Sequence, residues 1–125
     1  MMKIKFNARY EKGKENEYLS FSVLEDCDIH DYIIYDSTFD GNGDLSNLLP
    51  HMYRFPSQEV VKGAVVFLYI HSIGSRKAID KQESGRQVYR FAWGLANNVS
   101  VFNQEGDYLH IAEVSETKVL VVEGK

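Results

Sequence analysis

The sequence predicts an all-β domain, a sandwich or a barrel of short strands. Polar and apolar residues alternate with a period of two in several segments, which is the pattern of strands that bury one face. Turn signals built from Gly, Asn and Asp separate these segments at intervals of roughly eight to twelve residues. The best helical candidate, Ala78–Glu83, is only a turn or two long.

Three strand candidates occupy the beginning of the chain. Lys3–Tyr10 alternates polar and apolar residues, and the polar segment Glu11–Asn16 then turns the chain. A second strand follows at Tyr18–Val23. Asp31–Tyr35 is short and rich in β-branched and aromatic residues, which also favours a strand.

The middle of the chain contains its most apolar segment. His51–Phe55 is a strand candidate that ends at Pro56, because proline cannot donate to a ladder. Ala64–Ile70 is continuously apolar, which predicts a strand buried on both faces. His71–Gly85 is polar and too long for a common hairpin turn, so we expect a mobile excursion there.

The last third of the chain returns to strand patterns. A turn is predicted at Gln104–Asp107, where Gly106 precedes an aspartate. The strand candidates on either side of it are Val88–Trp93, Val99–Phe102, Tyr108–Ile111 and Lys118–Val122.

The chain is acidic, with 14 Lys and Arg residues against 18 Asp and Glu residues and a formal net charge of −4. Such a surface repels phosphate backbones and anionic lipids, so we expect neither nucleic acid nor membrane as a partner. The segment that contains Arg76 and Arg86 is locally basic. A solvated loop explains this composition better than a nucleic-acid site does. Its residues that remain candidates for a binding surface are Arg76, Lys77, Lys81 and Arg86.

The cellular compartment follows from cysteine usage and hydropathy. Cys27 is the only cysteine and has no internal disulfide partner, which fits a reducing compartment. The N-terminal segment has no apolar run of signal-peptide length, and no stretch approaches the roughly 20 apolar residues that cross a bilayer. We therefore expect a cytoplasmic protein.

The segment Asp36–Asn47 has oxygen-bearing side chains at alternate positions, as calcium loops do. A helix–loop–helix calcium site also needs Gly at position 6 and a bidentate carboxylate at position 12. The frame that starts at Asp36 ends on Asn47, and the frame that starts at Asp40 has Leu45 in place of the glycine. Asp-Gly and Asn-Gly favour a turn. The alternative, a non-helical calcium site, would use Asp36, Asp40, Asn42 and Asp44.

Signals of catalysis are few. Cys27 and His30 have the spacing C-x-x-H, but zinc needs about four ligands and there is no second cysteine. A Cys–His nucleophile is disfavoured because the adjacent carboxylates of Glu25, Asp26 and Asp28 raise the pKa of a thiol. The sequence has neither a nucleophile elbow nor a phosphate-binding loop. We expect no enzymatic activity, metal or cofactor, with a small hydrolase or metal-dependent enzyme as the alternative.

Aromatic residues offer a different kind of site. Their rings supply contact area and, in tyrosine, a polar tip that suits sugar or peptide binding. Trp93 and most tyrosines are more typical of a sandwich core. The tyrosines that we consider for a binding surface are Tyr10, Tyr18, Tyr35 and Tyr108.

Five segments resemble, in order, motifs of lamin-tail domains. Asn16–Val23 looks like the opening NEYVEL strand, and Asp28–Asp36 is similar to the DLSGWTLxD segment. Tyr53–Tyr69 resembles the stretch YxFP … LxxGxxVxL. Ala92–Gly94 resembles the Trp-Gly step, and Val101–Ile111 looks like the xxNxxGDxxxL hairpin.

The resemblance implies an immunoglobulin-like antiparallel β-sandwich of roughly eight or nine strands. It implies a single lamin-tail-like domain over residues 1–125, with its core at about 17–122 and an extra N-terminal strand at about 3–10. Alternation independently predicts one shared interior. Its members are Phe21, Tyr32, Ile34, Phe55, Val66, Leu68, Phe91, Trp93, Val101 and Leu109.

The resemblance also implies a docking module without a catalytic centre. We expect it to recognise a protein partner through a sheet edge, which presents unpaired N–H and C=O groups, or through the 71–87 loop. A homo-oligomer joined through edge strands is one form of this expectation. A calcium-modulated adhesion-type module centred on Asp36–Asp44 is a further alternative.

Overall fold

The computed structural model describes residues 1–37, 51–71, 79–81, 85–95, 108–118, 120–122 and 124. These residues form β-strands and one short 3₁₀-helix, Ile29–Asp31, so the predicted all-β class is confirmed. The strands are β1 (Ile4–Tyr10), β2 (Tyr18–Val23), β3 (Cys27–Asp28), β4 (Tyr32–Ser37), β5 (Met52–Arg54), β6 (Glu59–Val60), β7 (Val65–His71), β8 (Ile79–Lys81), β9 (Gln87–Leu95) and β10 (Tyr108–Glu113).

Five strands form one sheet in the order β1-β2-β7-β9-β8. β1 and β2 are an antiparallel pair with an irregularity between Phe6 and Ala8. β2 pairs antiparallel with β7, whose side chains are buried on alternating positions of both faces except at Phe67. The apolar run Ala64–Ile70 is therefore buried as its composition predicts, with Phe67 half-buried.

The expectation of a fully antiparallel architecture is wrong for one pair of strands. β9 pairs antiparallel with β8 and lies between β8 and β7. It runs parallel to β7, with Val66 opposite Tyr89 and Leu68 opposite Phe91. The period of two determines which face each side chain occupies, but not the direction of the neighbouring strand.

The other strands form a three-stranded sheet and a two-stranded sheet. β10, β4 and β5 pair antiparallel in that order. Backbone hydrogen bonds extend this pairing, since Val114 N donates to Asp31 O at 2.7 Å and Asp36 N donates to His51 O at 3.3 Å. The two-stranded sheet consists of β3 and β6.

Aromatic rings from both larger sheets meet in one core. Phe55, directly after β5, is fully buried, and its ring centroid lies 6.2 Å from that of Phe21 and 5.3 Å from that of Phe91. Tyr53 packs edge-to-face on Phe55 at 5.1 Å and contacts Trp93 at 5.9 Å. Burial raises the pKa of Tyr53 to about 12. This cluster links the three-stranded sheet to β2 and β9.

Most of the predicted interior is confirmed. Trp93 and Leu109 are partly buried against the core, and Val101 lies outside the described residues. The predicted members that are buried within the core are Phe21, Tyr32, Ile34, Phe55, Val66, Leu68 and Phe91.

Two local predictions are wrong. Ile79–Lys81, inside the helical candidate Ala78–Glu83, is strand β8, because pairing with β9 overrides a helical preference of only a turn or two. Lys118 and residues 120–122 belong to no strand, although Lys118–Val122 has a strand composition.

The number of strands also differs from the expected eight or nine. The described residues contain ten, because pairing creates the two-residue strands β3 and β6 and the three-residue strand β8, which are too short for a periodic signal. The predicted strand Val99–Phe102 and turn Gln104–Asp107 lie outside the described residues.

Candidate functional site

Asp36, the first residue of the predicted calcium site, forms hydrogen bonds with His51. Its Oδ1 accepts the His51 backbone N–H at 2.7 Å, and its Oδ2 lies 3.2 Å from His51 Nδ1. Both carboxylate oxygens therefore have a partner within the protein. Asp40, Asn42 and Asp44 lie outside the described residues, so the calcium site stays a prediction.

The four histidines occupy separate environments. A backbone carbonyl oxygen lies 2.7 Å from Nδ1 of His30, and another lies 3.0 Å from Nδ1 of the buried His71. His51 contacts Asp36, whereas His110 stacks on a tyrosine. Among the described residues, no three His, Cys, Asp or Glu side chains are grouped closely enough to hold a metal ion.

Cys27 is half-buried on β3 and lines a small cleft together with Asp26, Asp28 and Glu59. Burial is the main cause that raises the pKa of its thiol, Lys3 opposes the shift, and aspartates including Asp26 and Asp28 add to it. The predicted direction is confirmed, although burial contributes more than the carboxylates. A thiol with a raised pKa is rarely a thiolate near neutral pH.

Asp28 holds two segments of the chain together. Its Oδ1 accepts the backbone N–H groups of His30 at 2.9 Å and Gln58 at 3.0 Å, and its Oδ2 accepts the Ser57 hydroxyl at 2.8 Å. The His30 hydrogen bond is the main cause that holds the pKa of Asp28 below its usual range. The Asp28 carboxylate is thus a structural acceptor that caps the 3₁₀-helix.

Tyr10 and Tyr18 belong to a tyrosine ladder on the five-stranded sheet, which we define as Tyr10, Tyr18, Phe67 and Tyr69. The rings of Tyr10 and Tyr18 stack at 5.1 Å, and Tyr18 contacts Phe67 at 4.8 Å and Tyr69 at 5.1 Å. The Arg90 guanidinium lies 5.5 Å from the Phe67 ring centroid, a cation–π contact. Tyr69 is buried, Tyr18 and Phe67 are half-buried, and only Tyr10 of the ladder is exposed.

Tyr35 and Tyr108 lie on the three-stranded sheet, on the face opposite the core. Strand alternation and register place Tyr35, Met52, Tyr108 and His110 there together, and we call these four residues the aromatic face. The rings of Tyr35 and His110 are parallel, with centroids 4.7 Å apart and an interplanar angle of 4°. Met52 is 57 % exposed and Tyr108 45 %. The four predicted tyrosines therefore lie on two sheets rather than in one site.

Only two of the four basic residues that the sequence analysis considered for a binding surface lie among the described residues. Arg76 and Lys77 lie outside the described residues, and Lys81 is the last residue of β8. Arg86 is exposed and lines a groove that also contains Lys62. This groove lies beside the starts of the parallel strands β7 and β9.

Sequence reasoning missed Met52 and His110. Each lies in a predicted strand, and the alternation of that strand marks it as facing away from the core. Only the pairing of β5 and β10 with β4 shows that the two residues flank Tyr35 from opposite sides.

No protein-family model matches the sequence, and no curated protein matches it at a significant level. Within the described ranges, no helix is long and apolar enough to span a bilayer.

Proposed function

We propose that the chain is a non-catalytic protein-recognition module whose partner docks on the aromatic face. The observation that carries this proposal is the exposure of Met52 and Tyr108 next to the stacked pair Tyr35 and His110. Aromatic rings and methionine are enriched in protein interfaces, where their burial supplies the main favourable free energy.

The chemistry of the described polar groups supports the same proposal. The carboxylates of Asp28 and Asp36 accept hydrogen bonds from backbone N–H groups, and the buried Glu17 accepts one from Arg9. These contacts stabilise loops and strand ends. On the aromatic face, Met52 and Tyr108 are exposed and Tyr35 and His110 are half-buried, so the face combines exposed apolar area with tyrosine and imidazole rings.

For the fold, we propose an immunoglobulin-like sandwich of the lamin-tail type. The order of the motifs in the sequence and the aromatic core between β2, β5 and β9 support it. The proposed docking role is that of the same family, and the contact is assigned to a sheet face rather than to an edge or to the 71–87 loop.

A matched pair of substitutions tests the docking surface. Met52→Lys places a charge within the proposed interface, whereas Leu24→Lys changes an apolar residue of similar exposure, 41 %, outside the aromatic face. Partners captured from source cells by the wild-type chain would be identified, purified and titrated against all three proteins by calorimetry. We expect Met52→Lys to weaken binding by roughly tenfold or more, as for an interface hot spot, and Leu24→Lys to leave it unchanged. Equal affinities of the three proteins for every partner would contradict the proposal.

A further inference from the structure

A groove lies where the two parallel strands of the five-stranded sheet begin, and we call it the basic groove. Its volume is about 400 Å³, which is in the range of sites that hold small organic molecules. Because β7 and β9 are parallel, both strands start at the same end of the sheet. Residues 61–64 and 85–87, which lie at these starts or just before them, line the basic groove.

A tight turn holds Lys62 on one side of the basic groove. Ala64 N donates to Val61 O at 3.1 Å, which closes a four-residue turn, and Gly63 occupies its third position with a φ of +88°. The Gly63 N–H donates to a carbonyl oxygen of β2 at 2.9 Å, and the Lys62 N–H donates to Asp26 Oδ1 at 2.8 Å. Lys62 is therefore anchored through its backbone, and the residue is exposed to solvent.

Arg86 and Gln87 supply hydrogen-bond donors from the β9 side of the basic groove. Arg86 is exposed, and among the described side chains neither it nor Lys62 is part of an ion pair. Glu83, three positions before Arg86, lies outside the described residues. The Tyr89 hydroxyl donates to Gln87 Oε1 at 2.9 Å, which leaves Gln87 Nε2 as a donor with no acceptor in the described part of the chain.

The charges around the basic groove determine which anion fits it. The described residues that line it include one lysine, one arginine and no carboxylate, and these two cations match the charge of a phosphate monoester, about −1.5 to −2 near pH 7. An arginine donates two parallel hydrogen bonds to phosphate oxygens, and a lysine binds them as a point charge. A neighbouring cleft that shares Val61 with the groove contains Asp26, Asp28 and Glu59. Their carboxylates repel a second anionic group, so a single phosphate fits better than a polyphosphate.

We propose that the basic groove binds the phosphate group of a small organic molecule. Arg86 and Lys62 contact the phosphate oxygens, and Gln87 Nε2 donates a further hydrogen bond. The organic part of the ligand lies against Val61, an apolar residue that is 43 % exposed. The groove belongs to the five-stranded sheet and the aromatic face to the three-stranded sheet, so the inference goes beyond the proposed docking function and does not depend on it.

Titration of the full chain, followed by the NMR shifts of its amides, tests the basic groove. Phenyl phosphate, inorganic phosphate and acetate would be added separately near neutral pH at constant ionic strength. We expect phenyl phosphate to shift the amides of Lys62, Gly63 and Arg86 in a saturable way, with a dissociation constant of about 1 mM or lower. Inorganic phosphate should shift the same amides with weaker affinity, because it makes no contact with Val61. Equal affinities would overturn the organic part of the ligand and leave free phosphate as the occupant.

Two variants of equal charge separate a specific site from general attraction. Arg86→Gln should weaken the binding of phenyl phosphate by roughly tenfold or more, because it removes charged hydrogen-bond donors. Lys12→Gln, at an exposed position between β1 and β2, should leave the binding unchanged. The inference is overturned if the shifts do not saturate, if both variants weaken binding equally, or if acetate binds as tightly as phosphate. Met52→Lys should bind phenyl phosphate like the wild-type chain, so the failure of either proposal is visible separately.

Discussion

At the scale of single residues, the described carboxylates stabilise the backbone. Asp28 accepts three hydrogen bonds, two from backbone N–H groups and one from a hydroxyl, and it connects the 3₁₀-helix to the segment before β6. An ionised carboxylate suits this position because charged acceptors form stronger hydrogen bonds than neutral ones. The residue is therefore more important for stability than for chemistry, and this can be measured through pH.

We expect Asp28→Asn to lower the free energy of unfolding by about 1 kcal/mol near neutral pH, the value of a lost cap. The pKa of Asp28 lies below its usual range in the folded state. Its contribution is therefore fully present above the unfolded pKa of about 4 and is lost as the pH falls towards the folded pKa. Urea unfolding of both proteins between about pH 2 and pH 7 checks this. A difference that stays constant over this range would show that the carboxylate charge is unimportant.

At the scale of elements, the β1–β2 hairpin depends on an ion pair near its turn. Glu17 is 4 % exposed, and its carboxylate accepts hydrogen bonds from Arg9 Nε and from the Gly13 N–H, the latter at 3.1 Å. Gly13 has a φ of +77°, a conformation that glycine adopts without strain. The side chain of Glu17 thereby holds both the strand and the turn in place.

Removal of this acceptor should destabilise the hairpin. Because the Arg9 side chain remains 21 % exposed, we expect Glu17→Ala to cost about 1–3 kcal/mol, below the value for a fully buried pair. Glu116→Ala, at an exposed position, serves as the control and should change stability by less than about 0.5 kcal/mol. Chemical denaturation followed by circular dichroism provides the comparison. Equal stability of the two variants would mean that water replaces Glu17 as a partner.

At the scale of the whole molecule, the core depends on aromatic contacts between strands that are distant in sequence. Phe55 touches Phe21, Tyr53 and Phe91, which belong to β2, β5 and β9. A fully buried ring at such a junction contributes to the stability of every element that it contacts.

We expect Phe55→Ala to lower the free energy of unfolding by about 3–5 kcal/mol, the usual cost of a cavity left by a phenylalanine. Phe55→Leu, which keeps most of the volume, should cost less than about 2 kcal/mol and remain folded. The fluorescence of Trp93 and the far-ultraviolet circular dichroism should change in the same transition for both variants. Two separate transitions would show that the sheets unfold independently.

The amino-acid sequence by itself determined the all-β class and most of the core, because the period of two and the composition of each strand decide which side chains can be buried. The apolar run Ala64–Ile70 and the buried alternate positions such as Ile34 and Leu68 were predictable on that basis. The four candidate tyrosines were also visible in the sequence. Their separation into a ladder and an aromatic face was not.

Only the tertiary structure decided which strands are neighbours, and that choice created the candidate site. Strand pairing brings Met52 and His110 to Tyr35 from segments far apart in the chain, and it places β9 parallel to β7. It also leaves Leu120–Val122 exposed in spite of their strand composition. The physical reason is that alternation is a local property of each strand, whereas pairing depends on the total burial that all strands achieve together.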